Sequence, residues 1–102
     1  MPYELTPDAA RDLREIARYT LRQWGARQQR RYASVLEAGF RTIAQRRLVP
    51  RPFSPDYPDV FVSHCGHHYI FYVHPEGQKP RIIAVFHEHM DLLARLAERL
   101  AP

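Results

Sequence analysis

The spacing of apolar positions changes along the chain, from helical in the first half to alternating in the second. Thr6-Pro7-Asp8 has the make-up of a helix start: an N-capping hydroxyl, a proline at the first helical position and a carboxylate near the positive dipole end. Before it, residues 2–5 read as a short extended segment. Leu13, Ile16, Ala17, Thr20 and Trp24 then recur at helical spacing and form one stripe, with Trp24 expected as a core plug. Gly25 interrupts the run where a left-handed residue can end a helix. The pattern restarts with Tyr32, Leu36, Gly39, Phe40 and Ile43. So short a break predicts a helical hairpin with both stripes turned to one side.

Residues 48–59 carry Pro50, Pro52, Pro55 and Pro58 and are expected as an ordered loop, neither helix nor central strand. The period then becomes that of strands. Residues 60–65 form one strand, Gly66-His67 a two-residue type II′ turn, and His68 to Val73 the returning strand. Residues 75–80 are a second turn, and Arg81 to Phe86 a third strand. Asp91 is placed to cap a last helix carrying Leu92, Leu93, Leu96 and Leu100. The predicted order is β-α-α-β-β-β-α. It describes an α+β fold in which an N-terminal helical hairpin packs on a small, mostly antiparallel sheet, with a short C-terminal helix.

A length of 102 residues suits a single domain spanning 1–102, with one modest core. Apolar residues at 45% and charged residues at 25% exclude wholesale disorder. No apolar run approaches the ~18 residues of a membrane span, and the opening Met1-Pro2-Tyr3-Glu4 does not resemble a signal or transit peptide. The single Cys65 excludes a disulfide framework and is read as a small buried hydrophobe. Together these features give the expectation of a cytoplasmic protein with no membrane partner.

Charge changes this picture because it is segmental. Residues 11–51 hold eleven arginines against Asp12, Glu15 and Glu37, whereas the rest of the chain is net acidic. Fourteen of the fifteen basic residues are arginine, whose planar guanidinium forks onto carboxylate or phosphate. The segment therefore reads as a solvated helix face or as a surface for an acidic partner or nucleic acid.

The histidines are the other chemical candidates. His64, His67 and His68 surround one hairpin, and His87 and His89 share a face of the last strand, where they could meet His68. Three imidazoles could hold zinc, but no Asp or Cys stands at a completing ligand spacing, so neither metal nor cofactor is expected. Tyr69, Phe71, Tyr72 and Phe86 lack interleaved basic residues and are assigned to core packing and partner contact.

Three segments carry a resemblance to a known family. Leu5-Thr6-Pro7-Asp8-Ala9-Ala10-Arg11-Asp12-Leu13-Arg14-Glu15-Ile16, continuing through Tyr19 to Trp24-Gly25, is similar to the opening of ParE toxins. Gly66-His67-His68-Tyr69-Ile70-Phe71-Tyr72 resembles the Gly-x-His-x-Ile-Phe-Tyr hairpin strand of the same group. Ile82-Ile83-Ala84-Val85-Phe86-His87, followed by Met90-Asp91-Leu92, resembles its last strand and exit. In this order the segments resemble the RelE/ParE superfamily of bacterial toxins, and within it the ParE branch. The departure is at 50–62, where a Pro-rich path replaces the usual Gly-containing approach.

The resemblance implies the toxin of a type II toxin–antitoxin pair. ParE-like members poison DNA gyrase and RelE-like members cut messenger RNA on the ribosome, so the side chains must decide between them. Nuclease members use basic strand residues and a Tyr near the C-terminus. Here no Tyr follows Tyr72, His68 stands where an Arg is usual, and Met90 stands where a His-Tyr pair would supply a phenol. Gyrase inhibition by binding is therefore expected, with no catalytic residues. The expected target surface is His87, His89, Met90, Asp91 and Arg95. The cognate antitoxin is expected on Arg22, Arg30, Arg31, Arg41, Leu92, Leu93 and Leu96. The alternative is a ribosome-dependent mRNA endonuclease using His68, Arg81 and His89. Direct nucleic-acid binding is expected only in that alternative.

Overall fold

A computed structural model describes residues 1–102. The elements are β1 (Glu4–Leu5), α1 (Pro7–Ala44), β2 (Pro52–Ser54), β3 (Tyr57–Cys65), β4 (His68–Val73), β5 (Arg81–His87) and α2 (Leu92–Leu100). No helix is long and apolar enough to cross a membrane.

The start of α1 is as the sequence predicts: Thr6 is the N-cap, and its hydroxyl accepts the Ala9 N–H at 3.1 Å. The run is broken at Gly25, with φ 87° and ψ 173°, a conformation essentially confined to glycine. A straight helix of 38 residues would be about 57 Å long, yet the molecule's longest extent is 39 Å. The chain doubles back at Gly25, and residues from both arms (Ala9, Leu13 and Ile16; Leu36, Phe40 and Ile43) enter one core with Ile70, Tyr72, Ile82 and Val85. The predicted hairpin is present. Trp24 is not its core plug. The stripe outlasts the sheet beneath it, and Trp24, one residue before the reversal, is 70% exposed.

The sheet has five strands in the order β1-β5-β4-β3-β2, antiparallel except for the parallel β1–β5 pair. The Pro-rich segment is a correction to the sequence reading. It contributes β2, and β3 begins at Tyr57 rather than at residue 60. Pro52 is tolerated because β2 is an edge strand, where the missing N–H faces no partner, and the register slips between Pro52 and Ser54. Gly66-His67 forms the tight turn between Cys65 and His68, which pair directly. Gly66 has φ 59° and no other residue of the turn has a positive φ, as a type II′ turn requires. A side chain at Gly66 would also approach the Tyr32 hydroxyl to 2.8 Å.

Alternation along the strands serves two cores. Ile70, Tyr72, Ile82 and Val85 face the hairpin, while Val60, Phe71, Ile83 and Phe86 face the other side, where α2 inserts Leu96. The register slip between Phe71 and Tyr72 on β4, opposite residues 82–84, resets the phase of β5.

β1 is only two residues long, so the outer edge of β5 loses its strand partner after Ile82, whose carbonyl accepts the Thr6 N–H at 3.1 Å. Two side chains take over. The Val85 N–H donates to Asp12 Oδ2 at 3.0 Å, and Arg99 Nη1 donates to the Ile83 carbonyl at 2.9 Å. Arg99 also forks onto both Asp12 oxygens at 2.9 Å, and its guanidinium lies 5.0 Å from the centre of the Phe86 ring. The neighbouring Asp12 carboxylate holds the Arg99 pKa above its usual value.

Two stability effects follow. Gly25→Ala meets no atom within 4 Å, so its effect is backbone strain alone, an expected loss of about 1–3 kcal/mol in urea unfolding. Asp12→Ala strands a largely buried guanidinium and the Val85 N–H, with an expected loss of about 2–4 kcal/mol. In the Asp12→Ala/Arg99→Ala double variant the loss is smaller than the sum of the single losses.

Candidate functional site

Past the Asp12–Arg99 pair, the free edge of β5 is the floor of a groove of about 1220 Å³. One wall is the first arm of α1, with Asp8, Glu15, Tyr19 and Trp24. The other is formed by the β5 exit and α2, with His89, Met90, Arg95 and Glu98. Tyr32, His67 and His68 close the end nearest the β3–β4 turn. The walls mix carboxylates and guanidiniums and expose large apolar groups: Tyr19 is 55% and Trp24 70% exposed.

A polar network fixes that end. The His67 backbone N–H donates to the Tyr32 hydroxyl at 3.0 Å, and the same hydroxyl is hydrogen-bonded to His68 Nδ1 at 2.5 Å. His68 is buried, and desolvation, aided by His87 and His67, pushes its pKa down to about 4. Burial raises the Tyr32 pKa, although the hydrogen bond from His67 opposes the shift. The ring series continues outward, with centroids 5.2 Å apart from His68 to His87 and 5.0 Å from His87 to His89. Glu88 bridges His67 Nδ1 and His64 Nε2, each at 3.2 Å, and those hydrogen bonds lower its pKa. No three His, Cys, Asp or Glu side chains stand at metal-ligand spacing.

The expected target residues gather along one rim. His87, His89, Met90 and Arg95 all line the groove. Asp91 is occupied differently, because its carboxylate caps α2 by accepting the Ala94 N–H at 3.2 Å. The residues of the nuclease alternative are not brought together. His68 pairs with His87 at one end of β5, and Arg81 pairs with Val73 at the other, about 20 Å away along the strand. Arg81 is engaged there with Glu4 at 3.3 Å.

The expected antitoxin residues fall into two separate groups. Arg22, Arg30, Arg31 and Arg41 are exposed on the hairpin, with Arg41 paired to Glu37 at 3.1 Å, whereas α2 lies on the opposite face of the sheet. Leu96 is a correction: it is 0% exposed and belongs to the chain's own core, while Leu93 is 49% exposed. Cys65 is half-buried, donating to the Val35 carbonyl at 3.4 Å, and burial raises its pKa. Sequence reasoning missed Asp12, Arg99 and Tyr32 as site-forming residues. Tyr32 stood out only as an apolar stripe position.

Comparison with known proteins converges on one class, the toxins of type II toxin–antitoxin systems. The family model described as the ParE toxin of the type II toxin–antitoxin system parDE matches residues 3–92. Toxin ParE of Escherichia coli is 43% identical over 98 residues, covering 96% of this chain and 95% of that one. Toxin ParE1 of Caulobacter vibrioides is 32% identical over 95 residues, covering 93% and 97%. Among solved structures, a chain of the chromosomal ParDE system from P. aeruginosa superposes with a TM-score of 0.72 over 85% of this chain and 95% of that one. At 16% identity, that likeness speaks for the fold alone. The chain belongs to the ParE toxin family, and membership of a type II toxin–antitoxin family implies a cognate antitoxin.

His68 sets a pH dependence. Its folded pKa lies below the ordinary value near 6.5, so the unfolded chain binds the extra proton between those limits. Stability is retained above pH 6.5 and falls as the pH drops to 4, by up to about 3 kcal/mol from this residue. Urea unfolding at stepped pH should show a shallower fall in His68→Gln, whose amide keeps both a donor and an acceptor for Tyr32 but does not titrate.

Proposed function

We propose that this ParE toxin inhibits DNA gyrase by docking on it through the groove beside β5, and that its antitoxin neutralises it by covering the same groove from the α2 side. The observation that carries this reading is the ring of exposed Trp24, Tyr19 and Met90 around a groove of mixed charge. Large apolar groups held in a polar rim are the usual anchors of protein–protein recognition. Gyrase is the target that the ParE resemblance implies, and the distance between Arg81 and the histidines favours binding over RNA cleavage. His89, Met90 and Arg95 supply the opposite rim, and Leu92 and Leu93 border the path of the antitoxin. A gyrase target puts the site of action in the cytoplasm.

Purified gyrase tests this in a supercoiling assay. Stoichiometric toxin should suppress supercoiling, and Trp24→Ala should weaken suppression at least tenfold while leaving the fold intact, because the side chain is largely solvent-exposed. Unaffected supercoiling would sink the proposal. Transcript cleavage on translating ribosomes, lost in His89→Ala, would replace it with the nuclease reading.

A further inference from the structure

Most of the outer face of the helical hairpin lies outside the groove, which only Arg11 of its arginines lines, and its charge is predominantly positive, with Glu37 there paired to Arg41. Both arms of α1 turn their apolar stripes into the same core, so their opposite sides look away from the sheet together. On the first arm Arg11, Arg14, Arg18 and Arg22 fall within an arc of about 80°, roughly one guanidinium per turn. On the second arm Arg27, Arg30 and Arg31 lie within about 100° on the outward side. All are exposed. Only Arg11, with Asp8, and Arg41, with Glu37, form ion pairs on the hairpin surface, so the others have no intramolecular carboxylate. Arg14, Arg18 and Arg22 stand at i,i+4 spacing, an arrangement that weakens the helix by like-charge repulsion.

We propose that this arginine plate is a docking surface for the phosphate backbone of duplex DNA, a contact the sequence reading reserved for the nuclease alternative. What an acidic protein would need is missing there. Protein interfaces are anchored on apolar and aromatic groups, and the exposed ones here, Tyr19 and Trp24, line the groove instead; Leu21 and Val35 are the plate's only large apolar neighbours. Single-stranded nucleic acid would need aromatic platforms for its bases, which the plate also lacks. A row of unpaired guanidiniums on a rigid helical surface matches what a duplex offers at every step, closely spaced phosphates whose binding releases counterions without reading sequence.

The proposal does not depend on gyrase being the target, and its test uses the full-length chain without gyrase. Anisotropy of a fluorescein-labelled 20-base-pair duplex of mixed sequence is measured from 50 to 200 mM salt. With about five phosphates engaged, log K falls with log salt at a slope near −4.5, an affinity loss of roughly 500-fold over that range. The Arg14→Gln/Arg18→Gln/Arg22→Gln variant, altered only at exposed positions, should lose about three units of slope, while Arg→Lys at the same positions keeps most of it. A wild-type slope shallower than −1, or a slope that the triple Gln variant leaves unchanged with an unaltered circular dichroism spectrum, overturns the proposal. So does poly-glutamate or single-stranded DNA binding as tightly as the duplex.

Discussion

The architecture depends on how the free edge of β5 is satisfied. A strand edge with open N–H and C=O groups must be covered or paired, and β1 supplies only two residues of partner. Asp12 and Arg99 stand in for the missing strand, one accepting the Val85 N–H and the other donating to the Ile83 carbonyl. Because they also bind each other, the substitution ties three elements together: the first arm of α1, β5 and α2. A helix of nine residues with one fully buried leucine has little packing of its own, so this fork sets where α2 lies. A paired, largely buried ion pair adds little net stability over apolar packing, but its geometry is exacting. The groove exists because the substitution stops at Val85, leaving the edge beyond it uncovered.

A second polar link serves the other end of the groove. The Tyr32 hydroxyl reaches from the hairpin to the β3–β4 turn, accepting from the backbone of His67 and hydrogen-bonding His68 Nδ1. Gly66 makes the approach possible, since a Cβ there would collide with the Tyr32 ring, and its positive φ closes the turn. Keeping His68 neutral is part of the same arrangement. Burial, with His87 beside it, disfavours a second proton on the ring.

Local signals in the chain were legible wherever a residue acts on its immediate neighbours. Thr6 and Asp91 cap the helices they precede, Gly25 reverses the chain, and Gly66 opens a II′ turn. What could not be read depends on distant partners. Asp12 and Arg99 are 87 residues apart and look like ordinary helix-surface charges until the fold brings them together. Trp24 continues the apolar stripe, and nothing in the period reveals that the sheet ends before it does. The prolines of 50–58 argued against a central strand; Pro52 lies in the edge strand β2, and Pro58 lies in β3 ahead of Phe61, where its pairing with β4 begins, so neither interrupts the central ladder. The rim of His87, His89, Met90 and Arg95 was legible because the strand exit and the capped helix are both local, whereas the aromatic wall opposite was not.

The two exposed surfaces differ in the kind of recognition their physics permits. The groove combines apolar anchors, both signs of charge and a strand edge, so an occupant must match shape, and its affinity is set by a few well-packed groups. The hairpin plate offers charge without apolar anchors, so whatever binds it is held by electrostatics that salt weakens and that carry little shape information. They lie on adjacent sides of the first arm of α1, roughly 90° apart: Asp12, Glu15 and Tyr19 face the groove, and Arg14, Arg18 and Arg22 face away from the core. Arg11 is the one arginine of the plate that also lines the groove, so each surface can be altered by substitution without removing the other. On the two proposals, neutralisation in the groove and attraction of a polyanion to the plate rest on different side chains of one helix, the first on apolar anchors and the second on arginines, so salt weakens the second far more than the first.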